Sequence, residues 1–139
     1  MIRLISIAIA ASVILGGCDP RFIRETNLSA REVQALTGTW EGVATLSRED
    51  IRGCPTHYIW VLRVANGNVE GELVDRETPN APRTKFTTFL DYDASISVMV
   101  RPRGQDTTVR GTFQRDSFTG DTSSIGCAHR LRLRRTASS

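Results

Sequence analysis

From Gly38 onward, apolar and polar residues alternate in short runs that are separated by turn-forming residues. Alternation with a period of two is typical of strands with one buried face, and many short strands of this kind indicate an all-β sandwich or barrel. We predict eight strands, at residues 38–47, 57–65, 68–75, 84–91, 95–102, 107–114, 116–122 and 126–135. Asn66-Gly67, between the second and third of these, is a typical hairpin turn.

One short helix is predicted just before the first strand. Ser29 and Glu32 have the spacing of a capping box, and Leu28 and Val33 occupy the positions of a hydrophobic staple. Gly38 then supplies a stop. We therefore expect a helix near residues 30–37.

Four of the predicted strands place a glycine two residues after a large apolar residue. These glycines are Gly42, Gly71, Gly111 and Gly120. Residues two apart lie on the same face of a strand, so we expect each glycine on the inner face. Glycine there lets a strand bend enough for a sheet to coil and close. The pattern favours a small antiparallel eight-stranded up-and-down barrel; close contact with a ligand is the alternative explanation.

The N-terminal segment predicts where the protein is located rather than how it folds. Residues 4–15 are an unbroken run of apolar and small residues behind Arg3. A membrane-spanning helix needs about 20 apolar residues, so this run is too short to span. A basic start, a short apolar centre and a small-residue exit are typical of a secretory signal peptide.

Leu15-Gly16-Gly17-Cys18 also resembles the lipobox of bacterial lipoproteins, in which small residues precede an obligatory cysteine. The resemblance implies cleavage between Gly17 and Cys18, diacylglycerol on the Cys18 thiol and acylation of the new N-terminus. Several acyl chains together anchor a protein stably. An ordinary signal peptide with a nearby cysteine is the alternative.

The lipobox resemblance implies three segments: a signal peptide at 1–17, a lipidated tether at 18–28 and the barrel domain at 29–139. It also implies a bacterial envelope protein that is attached to a membrane through its N-terminal lipid, with its domain facing the periplasm. Asp19 resembles the inner-membrane retention signal of enteric bacteria. Other bacteria do not all sort by that residue, so the choice of membrane stays open.

The other two cysteines are predicted to form a disulfide. Cys54 follows the first predicted strand, and Cys127 begins the last. In an up-and-down barrel the last strand closes against the first, which brings the start of strand eight beside the end of strand one. Export to an oxidising compartment makes the bridge chemically reasonable. Two independent thiols are the alternative, and a metal site would need more ligands at short spacing.

Charge and motifs restrict the function classes. The formal net charge is +3, which is too small a balance to indicate a nucleic-acid-binding domain. In the C-terminal run His129-Arg-Leu-Arg-Leu-Arg-Arg135, arginines alternate with leucines, which predicts a strand with arginines on its solvent face. No nucleophile elbow, phosphate loop or metal-spaced cluster is present in the sequence. We therefore expect no enzyme, no cofactor and no metal.

The remaining candidate residues are two histidines, two aspartates and two tryptophans. His57 and His129 are expected near the cysteine end of the barrel as partly exposed polar residues, with a metal or acid/base role as the alternative. Asp91 and Asp93 are expected to stabilise a turn. Trp60 is expected in the core, and Trp40 is expected to seal one end of the barrel against the helix.

Gly38-Thr39-Trp40 after a short helix is similar to the G-x-W entry of lipocalins and related small calycin barrels, including periplasmic metalloprotease-inhibitor-type lipoproteins. This chain is shorter than full lipocalins and lacks their long loops. An eight-stranded barrel of this size can be filled by its own side chains. We therefore expect a protein-binding, assembly or inhibitor module with an envelope protein as its partner; a carrier of a small apolar ligand is the alternative.

Overall fold

The computed structural model describes residues 28–78 and 80–137. It contains one α-helix, eight strands and a 3₁₀ turn at Pro102–Gly104; the helix and strands are α1 (Ala30–Leu36), β1 (Gly38–Glu49), β2 (His57–Ala65), β3 (Asn68–Asp75), β4 (Thr84–Phe89), β5 (Ser95–Val100), β6 (Thr107–Phe113), β7 (Ser117–Ser124) and β8 (Cys127–Ala137). The predicted helix and strands are confirmed, with ends that differ by at most two residues. The predicted signal peptide, the cleavage site at Gly17 and Cys18, and the tether up to residue 27 lie outside the described residues.

The capping box forms as predicted and starts the helix. The backbone N–H of Ser29 donates to the Glu32 carboxylate at 2.7 Å, and the backbone N–H of Glu32 donates to the Ser29 hydroxyl at 3.3 Å. Hydrogen bonds to the Glu32 carboxylate from the Ser29 hydroxyl, also at 2.7 Å, and from the Ser29 backbone N–H hold the pKa of Glu32 below its usual value. Leu28 packs against the core just before the cap. Within the described ranges, no helix has the length and apolar character needed to cross a membrane.

All eight strands form one antiparallel sheet in the order β4-β3-β2-β1-β8-β7-β6-β5. The first and last strands pair, from Thr39 opposite Ala137 to Glu49 opposite Cys127, as the barrel prediction requires. The sheet is therefore a nearly closed barrel. Its ladder is interrupted between β4 and β5, two strands that are consecutive in the chain.

The chain between β4 and β5 turns inward instead of forming a tight hairpin. Leu90 is fully buried, and its N–H donates to the carbonyl of Gly67 in the β2–β3 turn at 2.9 Å. Asp93 stabilises the following turn as expected, because its carboxylate accepts a hydrogen bond from the Ser95 N–H at 3.1 Å. After β4 the chain therefore stays hydrogen-bonded to the β2–β3 turn instead of folding directly back along β4 as β5.

Alternate residues of the strands fill the barrel with apolar side chains. At the end next to α1, which we call the helix end, Trp40 is fully buried and its indole N–H donates to the Leu36 carbonyl at 3.2 Å. The Trp40 ring meets Phe113 edge-on at 5.1 Å, and the Arg135 guanidinium lies 4.7 Å from the Trp40 ring centroid. The prediction that Trp40 seals this end against the helix is confirmed.

The four patterned glycines lie at inward positions, as predicted, and each allows a close approach. A Cβ atom on Gly71 would lie 2.0 Å from the Phe86 ring, and one on Gly120 would lie 2.4 Å from the Arg110 carbonyl oxygen. Real Cβ atoms do not come so near their neighbours. Atoms of the protein itself therefore occupy the space beside these two glycines, which favours the curvature explanation over contact with a ligand.

Candidate binding site at the disulfide end of the barrel

A disulfide joins the loop after β1 to the first residue of β8. Cys54 and Cys127 lie at bonding distance, with Cα atoms 5.8 Å apart, and this confirms the predicted pairing. The backbone N–H of Asp50 also donates to the Gly126 carbonyl at 2.8 Å. The loop at residues 50–56 is thus fixed to β8 at what we call the disulfide end of the barrel.

His129 adds a third attachment of the same loop. Its Nε2 lies 2.6 Å from the Pro55 carbonyl oxygen, which can only accept, so Nε2 carries a hydrogen. Its Nδ1 lies 3.3 Å from the Thr122 hydroxyl, and the Tyr58 ring packs edge-on at 5.1 Å. Both ring nitrogens are therefore occupied by structural hydrogen bonds.

The two histidines do not form one site. His129 is buried, with 4% of its surface exposed, so the expectation of a partly exposed rim residue was wrong for it. His57 is exposed, on the outer face of β2, and its Nδ1 lies 2.9 Å from the Thr56 hydroxyl. The two side chains share one end of the barrel but lie on opposite faces of its wall, because they occupy opposite phases of the strand alternation.

The loop at 50–56 is connected in turn to the segment that follows β3. The Thr56 hydroxyl donates to the Glu77 carboxylate, and the Thr56 N–H lies 3.4 Å from the same group. These hydrogen bonds lower the pKa of Glu77 from its usual value.

An ion pair then bridges the side of the barrel where the ladder is interrupted. Arg103, between β5 and β6, donates to the carboxylate of Asp75 at the end of β3 and to the Thr78 hydroxyl at 2.8 Å. Only 3% of the Asp75 side chain is exposed. Arg103 reaches it from a left-handed backbone conformation with φ 54°, which costs about 1–2 kcal/mol for a non-glycine residue.

The last connection joins the β5–β6 loop to the β7–β8 turn. The Gln105 side-chain amide donates to the Ile125 carbonyl at 3.1 Å. Neighbouring loops around the disulfide end are therefore all linked, and we call the set of links the mouth ring. Its members are Cys54–Cys127, Asp50–Gly126, His129–Pro55, Thr56–Glu77, Asp75–Arg103 and Gln105–Ile125.

A cavity of about 80 Å³ lies inside the barrel below the mouth ring. Its lining is partly apolar, from Trp60, Leu73 and Val100, and partly polar, from Tyr58, Thr107 and His129. Sites for whole small-molecule ligands usually enclose about 300–1,000 Å³. This cavity is therefore the size of a small chemical group rather than of a complete carrier ligand.

Two hydrogen-bond donors on cavity-lining residues have no partner in the described part of the chain: the completely buried indole N–H of Trp60 and the hydroxyl of Tyr58. Tyr58 is only 8% exposed. No described residue forms a hydrogen bond with its hydroxyl, and its ring meets the His129 ring edge-on. Burial raises the pKa of the Tyr58 hydroxyl, although the nearby Arg103 charge acts in the opposite direction. The hydroxyl is therefore protonated at neutral pH and able to donate.

Two large apolar residues stand on the outside of the cavity mouth. Ile125, in the β7–β8 turn, is 83% exposed, and Ile51, which also lines the cavity, is 47% exposed. Gly126 lies directly under Ile51 with φ +83°, and a Cβ there would be 2.6 Å from the Ile51 side chain. The turn therefore needs glycine at this position, both for its backbone conformation and for the contact.

The rest of the surface agrees with the sequence-based interpretation of the arginine run. Arg130, Arg132 and Arg134 are exposed on the outer face of β8, while Leu131 and Leu133 are buried. Across the described part of the chain, no group of three or more His, Cys, Asp or Glu side chains could hold a metal ion.

Comparisons of the chain with protein-family models, with curated proteins and with solved structures found no match. The lipobox and calycin resemblances therefore remain expectations from the sequence.

Three residues of this site were not among the sequence-based candidates. For Tyr58 and Asp75 a signal was present, because both occupy inward positions next to the predicted cysteine end, and a charge at an inward position needs a partner. Arg103 carried no such signal. Its role depends on a contact between the β5–β6 loop and the end of β3, 28 residues apart in sequence, which strand periodicity does not predict.

We expect the Asp75–Arg103 pair to stabilise the disulfide end, with the exposed Arg101–Asp106 pair as its matched control. Asp75→Asn should lower the free energy of unfolding by about 1–3 kcal/mol, because it weakens charge-assisted hydrogen bonds of a buried group. Asp106→Asn should lower the free energy of unfolding by at most about 1 kcal/mol, since Arg101 and Asp106 are both largely exposed. Urea unfolding measures both variants; equal losses would show that Asp75 does not connect the loops.

Proposed function

We propose that this chain is a membrane-anchored lipoprotein of the bacterial cell envelope whose non-catalytic barrel binds another protein, as an assembly or inhibitor module. The observation that supports the proposal is the disulfide end, where the exposed Ile51 and Ile125 lie beside a small cavity that is bordered by the mouth ring. Protein interfaces are built in this way, with an anchor side chain in a pocket and a surrounding area that excludes water.

The carrier function is the less supported alternative. A carrier of an apolar ligand needs a cavity that encloses most of the ligand, whereas this barrel leaves about 80 Å³. The large side chains Trp40, Trp60 and Phe118 are fully or almost fully buried and belong to the apolar core that fills the barrel.

The connectivity of the chain is consistent with a partner that approaches from outside the membrane. The polypeptide enters the barrel through α1 at the helix end, and the mouth ring lies at the opposite end of β1. Nine residues lie between Cys18 and Leu28, and an extended chain spans at most about 3.3–3.6 Å per residue. An anchor at Cys18 would thus attach the barrel to the membrane through its helix end, with the disulfide end at the far end of β1.

The anchor itself makes a prediction about Cys18. In a bacterial host, the mature protein should begin at Cys18 with acyl chains on that residue, and it should sediment with membranes. Cys18→Ala should abolish the lipid and the cleavage, whereas Cys54→Ala should leave both unchanged. Mass spectrometry of the N-terminal peptide checks this; Cys18 without lipid, or bonded to another cysteine, would contradict it.

Photo-crosslinking in intact cells tests the binding function. A photoreactive amino acid would replace one of four exposed residues of the full-length lipoprotein, spread over the barrel: Thr87, Ser97, Ile125 and Arg132. We expect at least one position to form a reproducible, light-dependent adduct with one envelope protein.

Native mass spectrometry of the detergent-extracted protein tests the alternative, because it detects a small molecule bound to the barrel. No adduct at any of the four positions, together with a small molecule that persists on the purified barrel, would contradict protein binding and favour the carrier.

A further inference from the structure

The cavity is lined by apolar side chains and by two hydrogen-bond donors without a partner among the described residues, the Tyr58 hydroxyl and the completely buried Trp60 indole N–H. Trp60 and Leu73, almost completely buried, and the 4% exposed Val100 provide the walls, and Tyr58 provides a hydroxyl that the described residues leave without a hydrogen bond. A group that enters the cavity separates the Tyr58 hydroxyl from water, and a hydroxyl left without a partner is unfavourable, so the group gains free energy if it accepts from Tyr58.

The charge of the surroundings restricts what this group can be. Arg103 is the cation that lines the mouth, but its guanidinium already donates to Asp75 and Thr78. The apolar walls cannot solvate an ion, and an ion brought in without a partner would carry a large desolvation cost. The group that fits is therefore uncharged.

The volume and the rim together indicate that this group belongs to a macromolecule. About 80 Å³ admits a short side chain but not a drug-sized molecule. A free small molecule of that size would leave Ile51 and Ile125 uncovered, whereas a protein surface around the inserted group would bury both.

We propose that the cavity receives one short, uncharged side chain of the partner protein, of the amide type found in Asn and Gln, whose carbonyl oxygen accepts a hydrogen bond from the Tyr58 hydroxyl. The inference rests on the proposed protein-binding function and names the surface and the chemistry that carry it. The mouth ring keeps the cavity formed before binding, which reduces the entropy lost on association.

The two tryptophans allow occupation of the cavity to be measured directly. The Trp60 ring lines the cavity, whereas the Trp40 indole N–H is bonded to Leu36 at the helix end. In a ¹H–¹⁵N spectrum of the full-length lipoprotein in detergent, the Trp60 indole signal therefore reports on the cavity and the Trp40 signal serves as an internal control.

Propionamide is the first probe, because it carries a short alkyl group and an amide carbonyl, and dissolved butane is the matched probe without an acceptor. We expect propionamide to shift the Trp60 signal in a saturable way while the Trp40 signal stays fixed. Tyr58→Phe should weaken propionamide binding by about two- to tenfold, which is the value of one hydrogen bond. Butane binding should not change.

Two results of the experiments with propionamide and butane would overturn the inference. One is a Trp60 signal that neither probe moves in a protein whose Trp40 signal is native. The other is equal propionamide affinity in the wild type and in Tyr58→Phe, which would remove the role of the hydroxyl.

Photo-crosslinking of a variant with a filled cavity distinguishes a failure of this inference from a failure of the proposed function. Val100→Phe places a larger side chain in the cavity wall, and its fold is checked by the Trp40 signal. The envelope-protein adduct formed from position 125 should be lost in this variant. An adduct that forms only from positions 87, 97 or 132, or that persists from position 125, would leave protein binding in place and overturn the cavity as its site.

Discussion

The attachment of the loop at 50–56 to β8 is the constraint on which the disulfide end of this barrel depends. It combines a covalent bond between Cys54 and Cys127 with two hydrogen bonds, from Asp50 to Gly126 and from His129 to Pro55. β1 and β8 already pair along their whole length. The attachment therefore fixes the loop rather than the strands, and a fixed loop gives the cavity a defined mouth.

The two ends of the barrel are stabilised in different ways. The helix end is closed by apolar packing, in which Trp40 and Phe113 meet under α1 and Phe113 meets Phe118 at 4.6 Å. At the disulfide end, polar and covalent links connect the loops to one another. These links matter most beside the interruption between β4 and β5, where Asp75 and Arg103 connect segments that share no ladder. Links of this kind fix the loops without filling the space between them, whereas the aromatic side chains at the helix end pack into the barrel interior.

The fold was largely predictable from the sequence, because it depends on local signals. Alternation located the strands, the Ser29 and Glu32 pair located the helix, and the inward glycines indicated a barrel. The disulfide followed from the up-and-down topology. The interruption between β4 and β5 was not predictable, because the pattern of these strands is the same whether or not their edges pair.

The candidate site was predictable only in part. Its position at the cysteine end follows from the topology, but the mouth ring consists of contacts between loops, and loop conformations are set by those contacts rather than by periodicity. His129 is an example of a residue whose strand face was predictable but whose burial was not. Its inward phase was evident from Leu131 and Leu133, yet its burial depends on the Pro55 carbonyl 74 residues away.

The measurement that tests this account most directly is the free energy of unfolding of the Cys54→Ala/Cys127→Ala variant. The bridged residues are 73 apart in sequence, and closing a loop of that length stabilises a protein by about 4 kcal/mol in the chain-entropy model. With Cys18→Ala as the control, the account predicts a loss of about that size in the double variant and none in the control. An unchanged free energy of unfolding in the double variant would contradict it.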